Sequence, residues 1–276
     1  MSGGAAILQS RRLGRLALKG AAAISLAYIL LPLFFVVWLS FFAQEIPSFP
    51  PEGYSVKWFQ AVPGNTRFVQ GFILSLQVAV VATIIGLAIC VPAAVCLVRK
   101  QFAGREVLNS LLLLPLVVPG IVLGIALYIF HVEAEIRTEW QIIGSMGGLI
   151  AGHVLIVIPW TVRLVTASLV GMDRSVEEAA MSLGADRLTT FRRVTVPAIL
   201  PGVVAAALFG FISSFGNLEM SLFLVGPGRT TLPIAILQYL EWKIDPTIAA
   251  VSVLQILFIG GAMLLTDRFV KISRVV

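Results

Sequence analysis

Six runs of mostly apolar residues punctuate the chain, at 21–42, 71–98, 110–130, 143–165, 202–224 and 249–265, and polar residues gather between them. Crossing a hydrocarbon core of about 30 Å takes about 20 helical residues, a length each run meets or approaches. In lipid every backbone N–H and C=O must be paired within the protein, so runs of this kind span as α-helices. The pattern predicts an all-α integral membrane protein with six transmembrane helices. The first run is too long for a signal-peptide core and lacks a small-x-small cleavage site, so it is expected to remain as an uncleaved anchor.

The polar interval between runs four and five, residues 173–201, has a pattern of its own. Ser175 and Glu178 carry the Ser-x-x-Glu spacing of a capping box, and Val176, Ala179, Ala180 and Leu183 recur at i, i+3, i+4 and i+7. Gly184 follows as a helix C-terminal glycine should. Leu188 and Phe191 predict a second short helix, and Pro197 and Pro201 are expected to break the chain before run five. The segment reads as a helix, a tight turn and a helix.

Composition agrees with the bilayer reading. The chain of 276 residues is 58% hydrophobic and 12% charged, with a mean hydropathy of +0.98, too apolar for a soluble domain of that size. Orientation follows from Lys and Arg, which cytoplasmic flanks retain in excess. Arg11, Arg12, Arg15 and Lys19 precede run one; Arg99, Lys100 and Arg105 lie between runs two and three; Arg174, Arg187, Arg192 and Arg193 lie between four and five; Arg268, Lys271 and Arg274 follow run six. The other side holds only Lys57, Arg67, Arg137, Arg229 and Lys243, with Arg163 inside run four. Both termini and the 173–201 segment are therefore expected in the cytoplasm. Residues 1–20 form a basic cytoplasmic segment and 21–276 the membrane domain, with the net charge of +6 set against the bilayer surface and not against nucleic acid.

The 173–201 segment resembles the cytoplasmic signature of the inner-membrane permeases of ATP-binding-cassette importers. That signature has Glu-Ala-Ala, three residues, Gly, nine residues, an aliphatic residue, one more, and an aliphatic-Pro pair. Glu178, Ala179, Ala180, Gly184, Val194, Val196 and Pro197 fall on its fixed positions. The resemblance implies that Glu178, Ala179, Ala180, Leu183, Gly184 and Pro197 belong to a coupling helix that docks into a groove on the ATPase. It also implies a cassette ATPase dimer that carries the ATP and Mg, a second permease that is a different chain, and an extracytoplasmic solute-binding protein at a bacterial inner membrane.

Residues 50–59, 226–236 and 242–254 resemble, more narrowly, permeases of the spermidine/putrescine type, which implies a polyamine or related organic amine as cargo. The chain departs from that subfamily at Gly216 and Asn217, where its members commonly carry an acidic pair, with Glu219 displaced along the run. An aminophosphonate or an iron chelate stays open as cargo.

Little else points to chemistry. No lysine follows a glycine, so the phosphate-binding loop of an ATPase is absent from the sequence, and His131 and His153 lack the His-Glu-x-x-His spacing of a zinc site. Cys90 and Cys96 both fall in run two and read as small packing residues. Gly120 with Gly124 and Gly144 with Gly148 have the spacing of close helix packing. Run five carries Ser213, Ser214, Asn217, Glu219 and Ser221, and an acid within a span faces protein or water. Ser214, Asn217 and Ser221 share a face and are expected to line a translocation path, with Glu219 supplying charge near its outer mouth; a polar clamp between helices is the alternative. His153 is expected to bond a neighbouring span. A membrane-embedded enzyme using His153 and Glu219 is the rival from another class.

Overall fold

The structure is a computed structural model that describes residues 3–269, with side chains over 14–268. Arg11 and Arg12, by their side chains, and Lys271 and Arg274 lie outside the described residues. The elements run α1 (Gly3–Leu39), α2 (Lys57–Ala61), α3 (Thr66–Arg99), α4 (Arg105–Leu113), α5 (Gly120–Thr138), α6 (Met146–Val170), α7 (Ser175–Ser182), α8 (Arg187–Thr190), α9 (Val196–Phe215), α10 (Ser221–Leu224), α11 (Leu232–Trp242) and α12 (Thr247–Phe269). Among the described residues five helices are long and apolar enough to cross a membrane, and six if the bent pair Arg105–Leu116 and Gly120–Thr138 counts as one span.

Two of the expected runs are built differently. Run three is not one straight helix: α4 ends in a short 3₁₀ turn, Leu114–Leu116, and α5 leaves it at 107°. Pro115 and Pro119 are the cause, because a proline disfavours helical geometry in the residue before it and Pro119 itself is extended, with ψ 134°. Run five begins earlier than expected and stops sooner, as a continuous helix over Arg187–Phe215. Pro197 and Pro201 do not break it. Residues Phe191–Thr195 form a π turn in which the Val196 N–H reaches back five residues to Phe191 O, and the wide turn seats Pro197, which has no N–H to satisfy.

The described chain divides into two compact units. The first takes in the chain up to Gly64 with Trp242–Ile256. There α1 presents its apolar side chains outward, and the loop after it folds on aromatic contacts. Trp58 Nε1 donates to Phe42 O at 2.6 Å, and the Ala43 N–H to Gly53 O at 2.9 Å. Asp245 accepts from the Thr247 N–H at 2.9 Å, starting α12, and pairs with Lys243 at 3.0 Å.

The second unit takes in Asn65–Glu241 and the chain from Leu257 onward. Its core is the mutual packing of α3, α6 and α9. Val157 of α6 fits between two glycines: a Cβ on Gly86 of α3 would lie 2.6 Å from Val157 Cγ1, and one on Gly210 of α9 would lie 2.8 Å from it. Small residues let the backbones approach, which is how membrane helices gain packing energy without a hydrophobic drive. Phe72, Phe211, Phe215 and Phe258 close one side of this core. Cys90 packs in the core with Leu97 and Val162, whereas Cys96 faces outward and is not a packing residue within this chain. Gly120 and Gly124 lie against Glu219, Met220 and Phe223, so they receive a loop instead of another long helix, and Gly144 is a turn residue at φ +66° against Gly226.

Candidate functional site

The helix α7 forms where the pattern places it, and it is capped by other means. Ser175 lies inside the helix and its side chain caps nothing. The Asp173 carboxylate accepts from the Ser175 N–H at 2.9 Å instead, and Glu178 pairs with Arg174 at 3.3 Å on the surface. The far end closes as expected: Gly184 sits at φ +93°, its N–H bonds Met181 O at 3.0 Å, and the Ala185 N–H bonds Ala180 O at 3.1 Å. That bond pair is the Schellman motif, which needs a left-handed residue that glycine supplies without strain. Asp186 then caps α8, accepting from the Thr189 N–H at 2.8 Å. Both caps hold their carboxyls below the ordinary aspartate value: Asp173 through the hydrogen bond from the Ser175 backbone first, Asp186 through its bonds to Thr189.

The apolar stripe of α7 points away from the chain. Leu183 is 89% exposed and Val176 51%, Ala179 is exposed, and Leu188 on α8 continues the surface. The buried residue of the helix is an acid, Glu177. Its Oε1 accepts from Thr195 Oγ1 at 2.6 Å, and its Oε2 lies 2.9 Å from Arg99 Nε at the end of α3. Glu177 therefore ties α7 to two long helices, α3 and the α8–α9 helix, while the apolar stripe stays free. Periodicity found the stripe and could not tell which face turns inward. Arg99 is legible in the sequence only as a flanking charge, and Thr195 carries no signal at all.

Run five ends in a polar break. Past Phe215, Asn217 Oδ1 accepts from the Met220 N–H at 3.0 Å and its carbonyl O from Ser221 Oγ at 2.7 Å, which turns the chain into α10. His153 of α6 is fully buried and spans this break, with Nδ1 2.7 Å from Ser214 Oγ and Nε2 3.0 Å from Ser221 Oγ. Because Ser221 gives its proton to Asn217 O, its oxygen accepts from His153 Nε2–H, and Nδ1 accepts from Ser214. His153 thus bonds a neighbouring span, as expected. Ser214 and Ser221 turn inward to its ring, the geometry of a clamp, so of the four residues expected along a path only Asn217 and Glu219 keep accessible surface. Glu219 is not at the centre of a helix. It lies in the loop after α9 with its carboxylate against Gly120, where any Cβ would overlap it, at the start of α5.

Among the described residues no group of His, Cys, Asp and Glu could hold a metal ion. Residues 86–274 match the family described as the binding-protein-dependent transport system inner membrane component. The chain is 30% identical over 203 residues to the putrescine transport system permease protein PotI of Escherichia coli, covering 73% of this chain and 72% of that protein. It is 32% identical over 193 residues to a probable molybdenum ABC transporter permease of Haloferax volcanii, covering 69% of this chain and 71% of that one. In fold it is similar to a chain of a bacterial ABC transporter involved in the import of alginate, with a TM-score of 0.69 at 15% identity over 94% of this chain and 97% of that one. With the match spanning well over half its length, the chain belongs to the inner-membrane permease components of binding-protein-dependent transport systems.

Proposed function

We propose that α7 is the helix through which this permease takes work from a cassette ATPase. The observation that carries the proposal is the inverted amphipathicity of α7, with its acid buried and its apolar stripe in the open. Exposed leucine on a short polar module marks a surface built for a protein partner. In this reading the bent α4–α5 pair is one of six spans, and α7 and both termini lie in the cytoplasm. The chain forms the translocation path with a second permease, two ATPase subunits bind and hydrolyse ATP with Mg, and a binding protein delivers solute from outside.

A nucleotide-driven approach of the two ATPases shifts the permease pair between outward-open and inward-open states only if the docked helix is bound with different free energy in each. Glu177 makes such a transfer mechanically direct, since movement of α7 is movement of the ends of α3 and the α8–α9 helix. Gly184→Asp places a charge beside Leu183 and also strains the turn, because side chains rarely adopt φ +93°, so Glu178→Lys serves as the companion variant without that strain. Both variants are expected to leave the protein inserted while ATP-driven uptake falls; normal uptake by both would remove the docking role.

The cargo reading is a polyamine or related organic amine, supported by the Escherichia coli relative, a putrescine transport permease, and by the accessible Glu219 at the break after α9. Gly216 and Asn217 favour a second reading, a less cationic solute, and the Haloferax relative is named for molybdenum. Uptake of labelled putrescine by the reconstituted transporter decides between them: uptake that Glu219→Gln reduces supports the amine, and no uptake of any amine removes it.

A further inference from the structure

Between the end of α3 and the α7–α8 module lies a cavity of about 320 Å³ whose charges do not cancel. Four cations line it, Arg99, Lys100, Arg174 and Arg187, against two carboxylates, Glu177 and Glu178. Glu178 is engaged by Arg174, and Glu177 divides itself between Thr195 and Arg99. Even so, Arg99 is underused: Nη2 is buried with no hydrogen-bond partner, and Nε, though 2.9 Å from Glu177, lacks the alignment of a hydrogen bond. A buried guanidinium N–H without an acceptor is costly to leave so, and its planar fork matches the oxygens of a phosphate. Lys100 and Arg187 are exposed at the mouth.

The remaining wall is mostly apolar, with Thr190 and Thr195 as its polar members. Val95, Met181 and Phe191 line it, and Val95 belongs to α3, which is itself a membrane span. A cationic mouth joined to an apolar wall on a spanning helix is the form of a site for a lipid phosphate, and basic pockets between helices at a membrane face take such headgroups. We propose that this cavity binds the phosphate of an anionic phospholipid, with Arg99, Lys100 and Arg187 as its ligands and the start of an acyl chain against Val95 and Phe191. The lipid then sits beside the Glu177 tie and stiffens it. The site depends on the membrane placement of α3 and not on the docking role of α7, so either can fail alone.

The test is native mass spectrometry on the full-length chain in detergent, titrated with phosphatidylglycerol and with phosphatidylcholine of the same acyl chains. A parallel thermal-shift arm uses inorganic phosphate. Lys100→Gln/Arg187→Gln removes two exposed ligands and leaves the Arg99–Glu177 and Arg174–Glu178 pairs in place, and Arg192→Gln/Arg193→Gln removes the same charge from exposed residues outside the cavity lining. The wild type and the second variant are expected to hold phosphatidylglycerol about tenfold or more tighter than phosphatidylcholine, and the first variant to lose that preference. Equal affinity for the two lipids, or equal loss in both variants, overturns the site. Protection by phosphate without any preference for phosphatidylglycerol overturns the lipid as its source.

Discussion

Glu177 is an acid on the inward side of a helix whose apolar residues face out, which reverses the usual order of a surface helix. The Arg99–Glu177 pair retains 17% and 11% of side-chain exposure, so it is screened little by solvent, and removing one partner strands the other. Glu177→Gln keeps the acceptor for Thr195 but leaves Arg99 unpaired, with an expected loss of about 1–3 kcal/mol. Thermal unfolding would show the loss, and limited proteolysis would show the α7 module cut first; a variant as stable and resistant as the wild type would deny the tie. Asp173 and Asp186 add an acid dependence with a definite sign. Their folded carboxyls ionise below the ordinary value near 3.8, so the caps stabilise the module fully above that value and lose their contribution as pH falls through the lower folded one. Protection of the amides over residues 175–190, measured against their intrinsic exchange rates, is expected to fall in acid, and Asp173→Asn/Asp186→Asn to blunt that response, since asparagine caps without titrating. At this scale the turn chemistry was partly legible. Gly184 is where the pattern puts a left-handed residue, whereas the Ser175–Glu178 box gave way to an aspartate two residues upstream, a competition between neighbouring caps that spacing alone does not decide.

Among the helices, the hydropathy runs found the spans because a bilayer admits few alternatives, and they erred where side chains and prolines shape the ends. The polar residues from Ser213 to Ser221 fit a span with a wet face as well as they fit a break, and only the His153 bonds to Ser214 and Ser221 distinguish the two. His153→Ala is expected to cost about 1 kcal/mol at about 0.6 per interhelical bond, and to raise exchange at the α9–α10 break; a variant with unaltered exchange there would show that the break holds without the ring. The bend between α4 and α5 had its signal in Pro115 and Pro119, which a composition window averages away. The contact of α3, α6 and α9 at Val157 had none, because Gly86 and Gly210 lie far apart in the chain. Gly86→Val is expected to destabilise by about 1–3 kcal/mol through overpacking, and Val157→Ala in the same chain to restore part of that, read as thermal stability in detergent. An additive double variant would remove the contact.

For the whole molecule, the long apolar helices fix what the chain asks of its surroundings, a bilayer along them, and the asymmetry of Lys and Arg carries the proposed orientation. Single cysteines in a background free of Cys90 and Cys96 test the topology. Leu183→Cys is expected to react from the cytoplasmic side and Trp140→Cys from the outer side; the reverse pattern would invert the proposed orientation. The exposed stripe of α7 is what isolated sequence patterning explains least, because periodicity finds a stripe without saying which way it faces. The most direct measurement is solute uptake per ATP hydrolysed in proteoliposomes holding this permease, its partner permease, the ATPase and the binding protein, compared with the same assembly carrying Leu183→Glu/Glu178→Lys. A docking role for α7 predicts that the variant inserts and folds while uptake per ATP falls about tenfold or more. Uptake per ATP equal to that of the wild type would contradict it.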